Sequence, residues 1–496
     1  MTGAASRLTD AIGVLFGAPP PVRIRAWDGS EAGPADAPVL VVRQRRALRR
    51  LLWKPGELGL ARGWVAGELE VEGDLYEALE RLSGLLWERD PAAGRKTSLR
   101  DAQVRGALRE LVALAGPLPP PPPPAEEAVR GSGPLHTRRR DRQAISHHYD
   151  VGNDFYARVL GPSMVYSCAY WSPGGTLEQA QYDKLDLVCR KLALGEGDRL
   201  LDVGCGWGSM ALHAAREYGA RVTGVTLSRE QAAYALKRVA EEGLADRVEI
   251  RVQDYRDVRD GPYDAVSSIG MAEHVGAERY REYAGDLFGL LRPGGRLLNH
   301  QIARPPEADE SAYRVDQFID RYVFPDGELS PLGSTVTELE RAGFEVRDVE
   351  SLREHYALTL RAWVANLEDH WDEAVRLTSP GRARVWRLYM AASALGFEHG
   401  RLGVNQILAV RQAERGLSGL GLRTRTWNTG APEAGSEPAA GGPGPAGLPD
   451  LAVEGPGPGG GSFGLAELAE AVEHAERVGP PVPAGAEEPV AEAPGY

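Results

Sequence analysis

Cysteine is scarce: Cys168, Cys189 and Cys205 are all that 496 residues contain. None stands in a CxxC pair, so the chain offers neither a zinc-type ligand set nor a disulfide framework, no metal is expected, and the usage suits a reducing, cytoplasmic compartment. Long apolar runs are missing as well. No stretch approaches the roughly 18 apolar residues of a spanning helix, and the first residues lack a charged segment followed by an apolar one, so the chain is expected to be soluble or peripheral to a membrane. The length exceeds what one core can fill, since cores stop growing at roughly 250 to 300 residues, and two or three domains are expected.

The formal charge of -13 is unevenly spread. Residues 429–496 hold eleven acids and one arginine, so this segment alone carries -10. The remainder is near neutral and contains two basic runs, "RQRRALRR" with Lys54 beyond it and "RRRDR" over 138–142. Such runs suit a solvated face or attraction to an anionic surface.

Composition divides the chain into segments. Residues 1–116 read as a small α+β domain, with "PVRIRAW" and "APVLVVR" as strands and "DLYEALERLSGLLWER" and "VRGALRELVALAG" as amphipathic helices. The proline run over 117–137 reads as an extended, semi-rigid linker. Residues 138–415 read as the catalytic domain, and the Gly, Pro, Ala and Glu rich segment 429–496 as a disordered tail.

Within 138–415, strand and helix signals alternate: "DRLLDVG", "ARVTGVTL", "VEIRVQD", "YDAVSSIG" and "GGRLLNHQI" as strands, with "SMALHAAREYG" and "SREQAAYALKRVAEEG" as helices between the first three. The pattern predicts an α/β fold, a doubly wound, mostly parallel sheet. Thr176 with Gln179 and Ser228 with Gln231 have capping-box spacing.

The first of these strands runs into "DVGCGWG", Asp202 to Gly208. Glycines there let the backbone turn sharply and approach a ligand at a helix N-terminus, although a tight turn without ligand has the same spacing. The second strand ends in "GVTLSREQ", where Thr226, Ser228 and Gln231 are candidate polar contacts, with the last two also readable as a plain cap. Asp254, after the third strand, suits an adenine amino group or an ordinary loop. The spacing of Asp202, Gly204, Gly206 and Gly208 resembles motif I of the class I S-adenosylmethionine-dependent methyltransferases, a Rossmann-like family.

The ordered stretches "HHYDVGNDFYARVLGPSMVYSCAYW", "LLDVGCGWG", "GVTLSREQ", "QDYRD", "GMAEHVG" and "LREHYALTLRAW" resemble the cyclopropane-fatty-acyl-phospholipid synthases and mycolic acid cyclopropane synthases, from about His147 to Arg411. The segment "GELGLARGWVAGELEVEGDLYEALERL" looks like the N-terminal domain of the longer phospholipid enzymes. The resemblance implies S-adenosyl-L-methionine contacts at Tyr166, Ser167, Asp202, Gly204, Cys205, Gly206, Gly208, Thr226, Leu227, Ser228, Gln231, Gln253 and Asp254. It implies bicarbonate at Cys168, Glu273, His300, the backbone of Ile302, and Tyr356. Ala272 stands where the family has a bulky apolar residue, a departure expected to reshape the acyl pocket.

The implied activity is transfer of a methylene group to the cis double bond of an unsaturated acyl chain of a membrane phospholipid. Methylation leaves a carbocation, whose face-on neighbours would be Tyr166, Tyr170 and Trp171, and ring closure needs a base that resists alkylation, the role implied for bicarbonate. No step calls for Cys168 as a nucleophile. The alternatives are a methylene or methyl branch from the same cation, a small-molecule N-methyltransferase, and a lipid-binding module without turnover. Expected partners are phospholipid acyl chains at the inner membrane face and not nucleic acid, with a homodimer among the allowed states.

Overall fold

The computed structural model describes residues 3–54, 56–86, 101–116, 119, 121–128, 137–138, 140, 151–422, 425 and 427. The tail 429–496 and most of the run 138–142 lie outside them.

The N-terminal part builds a four-stranded mixed sheet from β1 (Arg23–Arg25), β2 (Glu31–Ala32), β3 (Val39–Val42) and β4 (Leu69–Glu72), in the order β2-β1-β3-β4. Its own small core joins Leu8 of helix Ala4–Phe16, Ile24, Val42, Leu69 and Leu114 of helix Ala102–Ala115.

The larger sheet contains β5 (Arg199–Val203), β6 (Arg221–Thr226), β7 (Val248–Val252), β8 (Tyr263–Ile269), β9 (Leu291–Arg304), β11 (Glu345–Ser351) and β12 (Gly403–Val410), in the order β11-β12-β9-β8-β5-β6-β7, with β10 (Ser330–Pro331) beside β9. From β7 to β9 every pairing is parallel, while β12 runs antiparallel to both β9 and β11. Successive side chains of a strand face opposite sides, and here that alternation serves two cores. Leu200, Val222, Ile250, Ala265 and Leu298 pack against helices Leu177–Leu192, Ser209–Tyr218 and Arg229–Glu241, whereas Leu201, Val203, Val225, Val266 and Leu297 pack against Tyr280–Leu290 and Leu332–Arg341. The sheet is therefore doubly wound. The chain leaves β5 toward β6 and β7, then returns on the other side of β5 as β8, and the crevice at such a reversal is where ligands bind in open α/β sheets.

Helices Asn153–Leu160, Arg353–Asp369 and Pro380–Glu398 form a further apolar layer, which also takes in Leu58, Ala61, Trp64, Val65 and Leu75 of the N-terminal part. The Trp64 indole N–H donates to the Arg384 carbonyl at 2.9 Å, closing that contact. The described residues 121–128 of the proline segment are tied to both parts. Pro122 O accepts from Arg50, Glu127 takes a two-pronged pair from Arg62 and the Tyr322 hydroxyl, and Ala128 N donates to Arg321 O. Prolines supply extended backbone whose carbonyls can accept, and two part-buried acids follow them, so this strap, residues 121–128, docks.

Candidate functional site

Two cavities meet at the carboxyl ends of β5, β6 and β8. The first is lined by Tyr166, Ser167, Asp202, Gly204, Cys205, Gly206, Thr226, Leu227, Gln231 and Gln253, all expected from the sequence, together with Lys184, Met271 and His274. Gly204 takes φ +75°, and a Cβ there would fall 2.3 Å from Met271 Sδ, while Gly206 at φ +52° faces open space. Both positions need glycine, one for room and one for a ligand-facing turn.

Asp202 is 2% exposed. Its Oδ1 accepts from the Ser267 hydroxyl at 2.7 Å, and its Oδ2 is buried without a partner. Burial pushes this carboxyl up to about 6, against the pull of the Ser267 hydrogen bond and the Lys184 charge. An orphaned carboxylate oxygen on a cavity wall fits a ligand bearing cationic donors, as the amino group of S-adenosylmethionine does.

Three expected contacts are placed otherwise. Gly208 ends the turn, and a Cβ there would meet Ala235 at 3.0 Å. Ser228 caps helix Arg229–Glu241, its hydroxyl accepting from Gln231 N at 3.2 Å. Asp254 gives both oxygens to Arg256, at 2.8 and 2.7 Å. None of the three lines the cavity. Each side chain or backbone is spent locally, for the capping or loop role that the sequence left open beside the ligand role.

The second cavity has a volume of about 570 Å³. Phe318, Ile319, Phe324, Leu360, Phe397 and Leu402 give it a mostly apolar wall, and Tyr166, Ser167, Gly270 and His274 line both cavities. Cys168, Glu273, His300, Ile302 and Tyr356, scattered over almost two hundred positions, all line it.

Glu273 sits in the short helix Ala272–Val275. Its Oε1 accepts from Ile302 N at 2.7 Å, and its Oε2 is buried without a partner. Burial pushes the carboxyl up to about 7, opposed by that N–H. The Ile302 amide is thus spent on Glu273, because a buried carboxylate needs a donor. His300 is 2% exposed, its Nε2 has no partner, and burial holds the ring neutral, well below its ordinary range. The Cys168 sulfur lies 3.2 Å from Ala169 O and 3.5 Å from Leu352 O, and burial drives its thiol well up, which removes the thiolate a nucleophile needs.

Of the three aromatic residues expected around a cation, only Tyr166 faces a cavity. Tyr170 stacks on His355 at 4.9 Å, and the Trp171 indole donates to Thr359 Oγ1 at 3.0 Å. Tyr356, Tyr389, Phe324 and Phe397 contribute aromatic rings to the cavity instead. Ala272 is buried in the core below the sheet and does not line the second cavity.

Lys184 escaped the sequence reading. It is 1% exposed, its ammonium donates to Ser167 Oγ at 3.0 Å, and burial lowers it to about 8. Leu177, Gln181, Lys184, Val188 and Lys191 recur at helical spacing, so two lysines on the buried stripe were the available signal.

Among the described residues no helix is long and apolar enough to cross a membrane, and no group of three or more His, Cys, Asp or Glu is placed to hold a metal ion.

The family model for mycolic acid cyclopropane synthetase matches residues 136–407. A probable fatty acid methyltransferase of Mycobacterium tuberculosis is 46% identical over 409 residues, 81% of this chain and 94% of that protein. The cyclopropane-fatty-acyl-phospholipid synthase of Escherichia coli is 37% identical over 283 residues, 57% of this chain and 72% of that protein. The crystal structure of the mycolic acid cyclopropane synthase CmaA1 with SAH and CTAB is 33% identical and superposes with a TM-score of 0.51, covering 54% of this chain and 97% of that one. With the motif turn, the orphaned Asp202 oxygen and the adjoining apolar cavity, these likenesses assign the chain to the mycolic acid cyclopropane synthetase family of S-adenosylmethionine-dependent methyltransferases.

Proposed function

We propose that the protein converts the cis double bond of an unsaturated acyl chain in a membrane phospholipid to a cyclopropane. The observation that carries this reading is the pair of buried, partnerless polar atoms, Glu273 Oε2 and His300 Nε2, on the wall of an otherwise mostly apolar cavity that borders the cofactor cavity. Such atoms cost roughly 1 to 3 kcal/mol each when left unsatisfied, so they mark a site that a small polar species completes. A bicarbonate ion fits the donor set: protonated Glu273, neutral His300 and the Tyr356 hydroxyl can all donate to it.

Bound S-adenosylmethionine supplies an electrophilic methyl group, and bound bicarbonate a base that survives beside a cation. The residues do the rest. Ser167, fixed by Lys184 and by Gln181 at 3.0 Å to its carbonyl, holds the shared wall in place. The apolar lining excludes water and aligns the double bond with the methyl carbon. As the alkene takes the methyl group its far carbon becomes cationic, and the faces of Tyr166, Tyr389 and Phe324 can stabilise that charge. Loss of a proton from the new methyl group closes the three-membered ring.

A 1,2-hydride shift that moves the charge onto the methyl-bearing carbon, followed by loss of a proton from the methyl group, instead leaves a methylene group, a starting point for a methyl branch. The likeness of four-fifths of the chain to a fatty acid methyltransferase favours this second reading. Expression in a host whose lipids contain neither product, followed by mass and NMR analysis, separates them: cyclopropane proton resonances support the first reading, vinylidene or methyl-branch resonances the second, and unchanged acyl chains refute both.

Docking on an anionic membrane surface, from the cytoplasmic side, belongs to the same proposal. Arg43 and Arg50 are committed to Glu70 and Glu68, but Lys54 is exposed beside Trp53, which is 65% exposed. Arg138 and Arg140 of the second basic run pair with Asp257 and Asp326, which leaves the first run as the better docking face.

A further inference from the structure

His300 and Gln406 stand directly opposite each other on β9 and β12. Gln406 Nε2 lies 3.3 Å from His300 Nδ1, and Gln406 Oε1 accepts from the Lys191 ammonium at 2.8 Å. Lys191 and Gln406 are both fully buried, and Lys191 is anchored on its other side by Glu350.

The chemistry of these groups fixes every proton along the line. An ammonium can only donate, so the amide oxygen of Gln406 must face Lys191. The amide NH₂ therefore faces His300, and an NH₂ can only donate, so Nδ1 must be the accepting nitrogen. A neutral imidazole carries one proton, which is then on Nε2. Turning the amide over would set NH₂ against ammonium and carbonyl against a nitrogen that would have to donate, with Lys191 losing a buried acceptor. The Nε2 that receives the proton is the atom that lines the acyl cavity without a partner.

We propose that Lys191 and Gln406 are positioning residues that lock His300 as its Nε2–H tautomer, so that the cavity presents a donor there to the anionic base. The clause about the base rests on the proposed function; the lock does not. Neither residue touches the cavity, and their effect travels only through the imidazole.

The test is a long-range proton–nitrogen correlation spectrum of the full chain labelled at its ten histidines, with His300 assigned from the signals lost in His300→Gln. The wild-type protein is expected to show His300 with a bare Nδ1 and a protonated Nε2. In Gln406→Glu the carboxylate accepts from both Lys191 and the ring, so the tautomer is expected to invert to Nδ1–H. The same variant is expected to lose at least tenfold in kcat with unchanged affinity for S-adenosylhomocysteine. A protonated Nδ1 in the wild type overturns the lock, and that measurement needs no variant to fold. Retention of Nε2–H in Gln406→Glu overturns it as well. An inverted tautomer with full kcat upholds the lock and overturns the anion-site reading of His300, so the two failures are distinguishable.

Discussion

Glu273→Gln changes one atom of the cavity wall and separates three properties of the protein. Its Oε2 is buried, its Oε1 accepts from Ile302 N, and its carboxyl is pushed from an ordinary 4.5 up to about 7. Glutamine keeps the acceptor and a neutral donor but cannot ionise. A carboxyl whose folded value lies above its unfolded value binds more protons folded than unfolded between those values, so folding stability falls as pH rises from 4.5 and the loss is complete above about 7. At about 1.36 kcal/mol per tenfold change in proton affinity, the cost at pH 8 is ~3 kcal/mol. Glu273→Gln escapes it. Urea unfolding at pH 5, 7 and 8.5 should therefore show the variant gaining on the wild type as pH rises, toward ~3 kcal/mol at the alkaline end. Turnover should fall roughly tenfold, because an amide N–H is a weaker donor to the proton acceptor than a carboxyl O–H, while the dissociation constant for S-adenosylhomocysteine stays within threefold. A stability gap that does not vary with pH would refute the buried-carboxyl reasoning, and a loss confined to cofactor affinity would refute the assigned role.

Asp202→Asn removes the charge behind the orphaned Oδ2, and calorimetric titration with S-adenosylmethionine should show affinity reduced roughly 10- to 150-fold, the worth of a hydrogen bond to a charged group; unchanged affinity would show that the carboxylate faces no cationic donor. Gly204→Ala should destabilise by about 1 to 3 kcal/mol, part from its positive φ and part from Met271, so that Gly204→Ala with Met271→Ala recovers only the steric share; full recovery would contradict backbone strain. Cys168→Ser should keep activity within tenfold, because the buried thiol is not a nucleophile, and an inactive but folded variant would contradict this. Trp53→Ala with Lys54→Ala should weaken binding to anionic liposomes about tenfold while leaving neutral ones unaffected; equal binding of both proteins to anionic vesicles removes this face from membrane docking.

The parts of the site that could be read from sequence are those where one residue has one physical reason to be there. Leu200 and Leu201 announce a strand buried on both faces, and the glycines after Asp202 announce a turn that approaches a ligand. Thr176 and Ser228 cap their helices as their spacing indicates, accepting from Gln179 and Gln231, although neither glutamine returns the bond: Gln179 donates to Asp183 and Gln231 accepts from Thr226. What stayed hidden depends on partners distant in sequence. Asp254 looks the same to a reader whether it meets an adenine or Arg256. Tyr170 and Trp171 share a segment with Tyr166, but His355 and Thr359 draw them away from the cavity. Lys184 and Lys191 were visible on a buried helix face, yet only the fold reveals that one reaches Ser167 and the other Gln406. The proline run reads as a spacer until Arg50, Arg62 and Tyr322 supply its partners.

The docked strap has a thermodynamic consequence. Glu127 joins helix Glu57–Val65 to helix Gln317–Tyr322, whose Phe318 and Ile319 line the second cavity, and Leu58, Trp64 and Val65 share the apolar cluster that contains Tyr356 and Leu360. Neither part can melt without exposing apolar surface of the other. Calorimetry should record one cooperative transition for the N-terminal and catalytic parts together, and removal of residues 1–116 should lower the melting temperature of what remains and loosen its grip on the acyl chain. The N-terminal part then braces, from a distant stretch of the chain, the helices that line the second cavity without lining it itself.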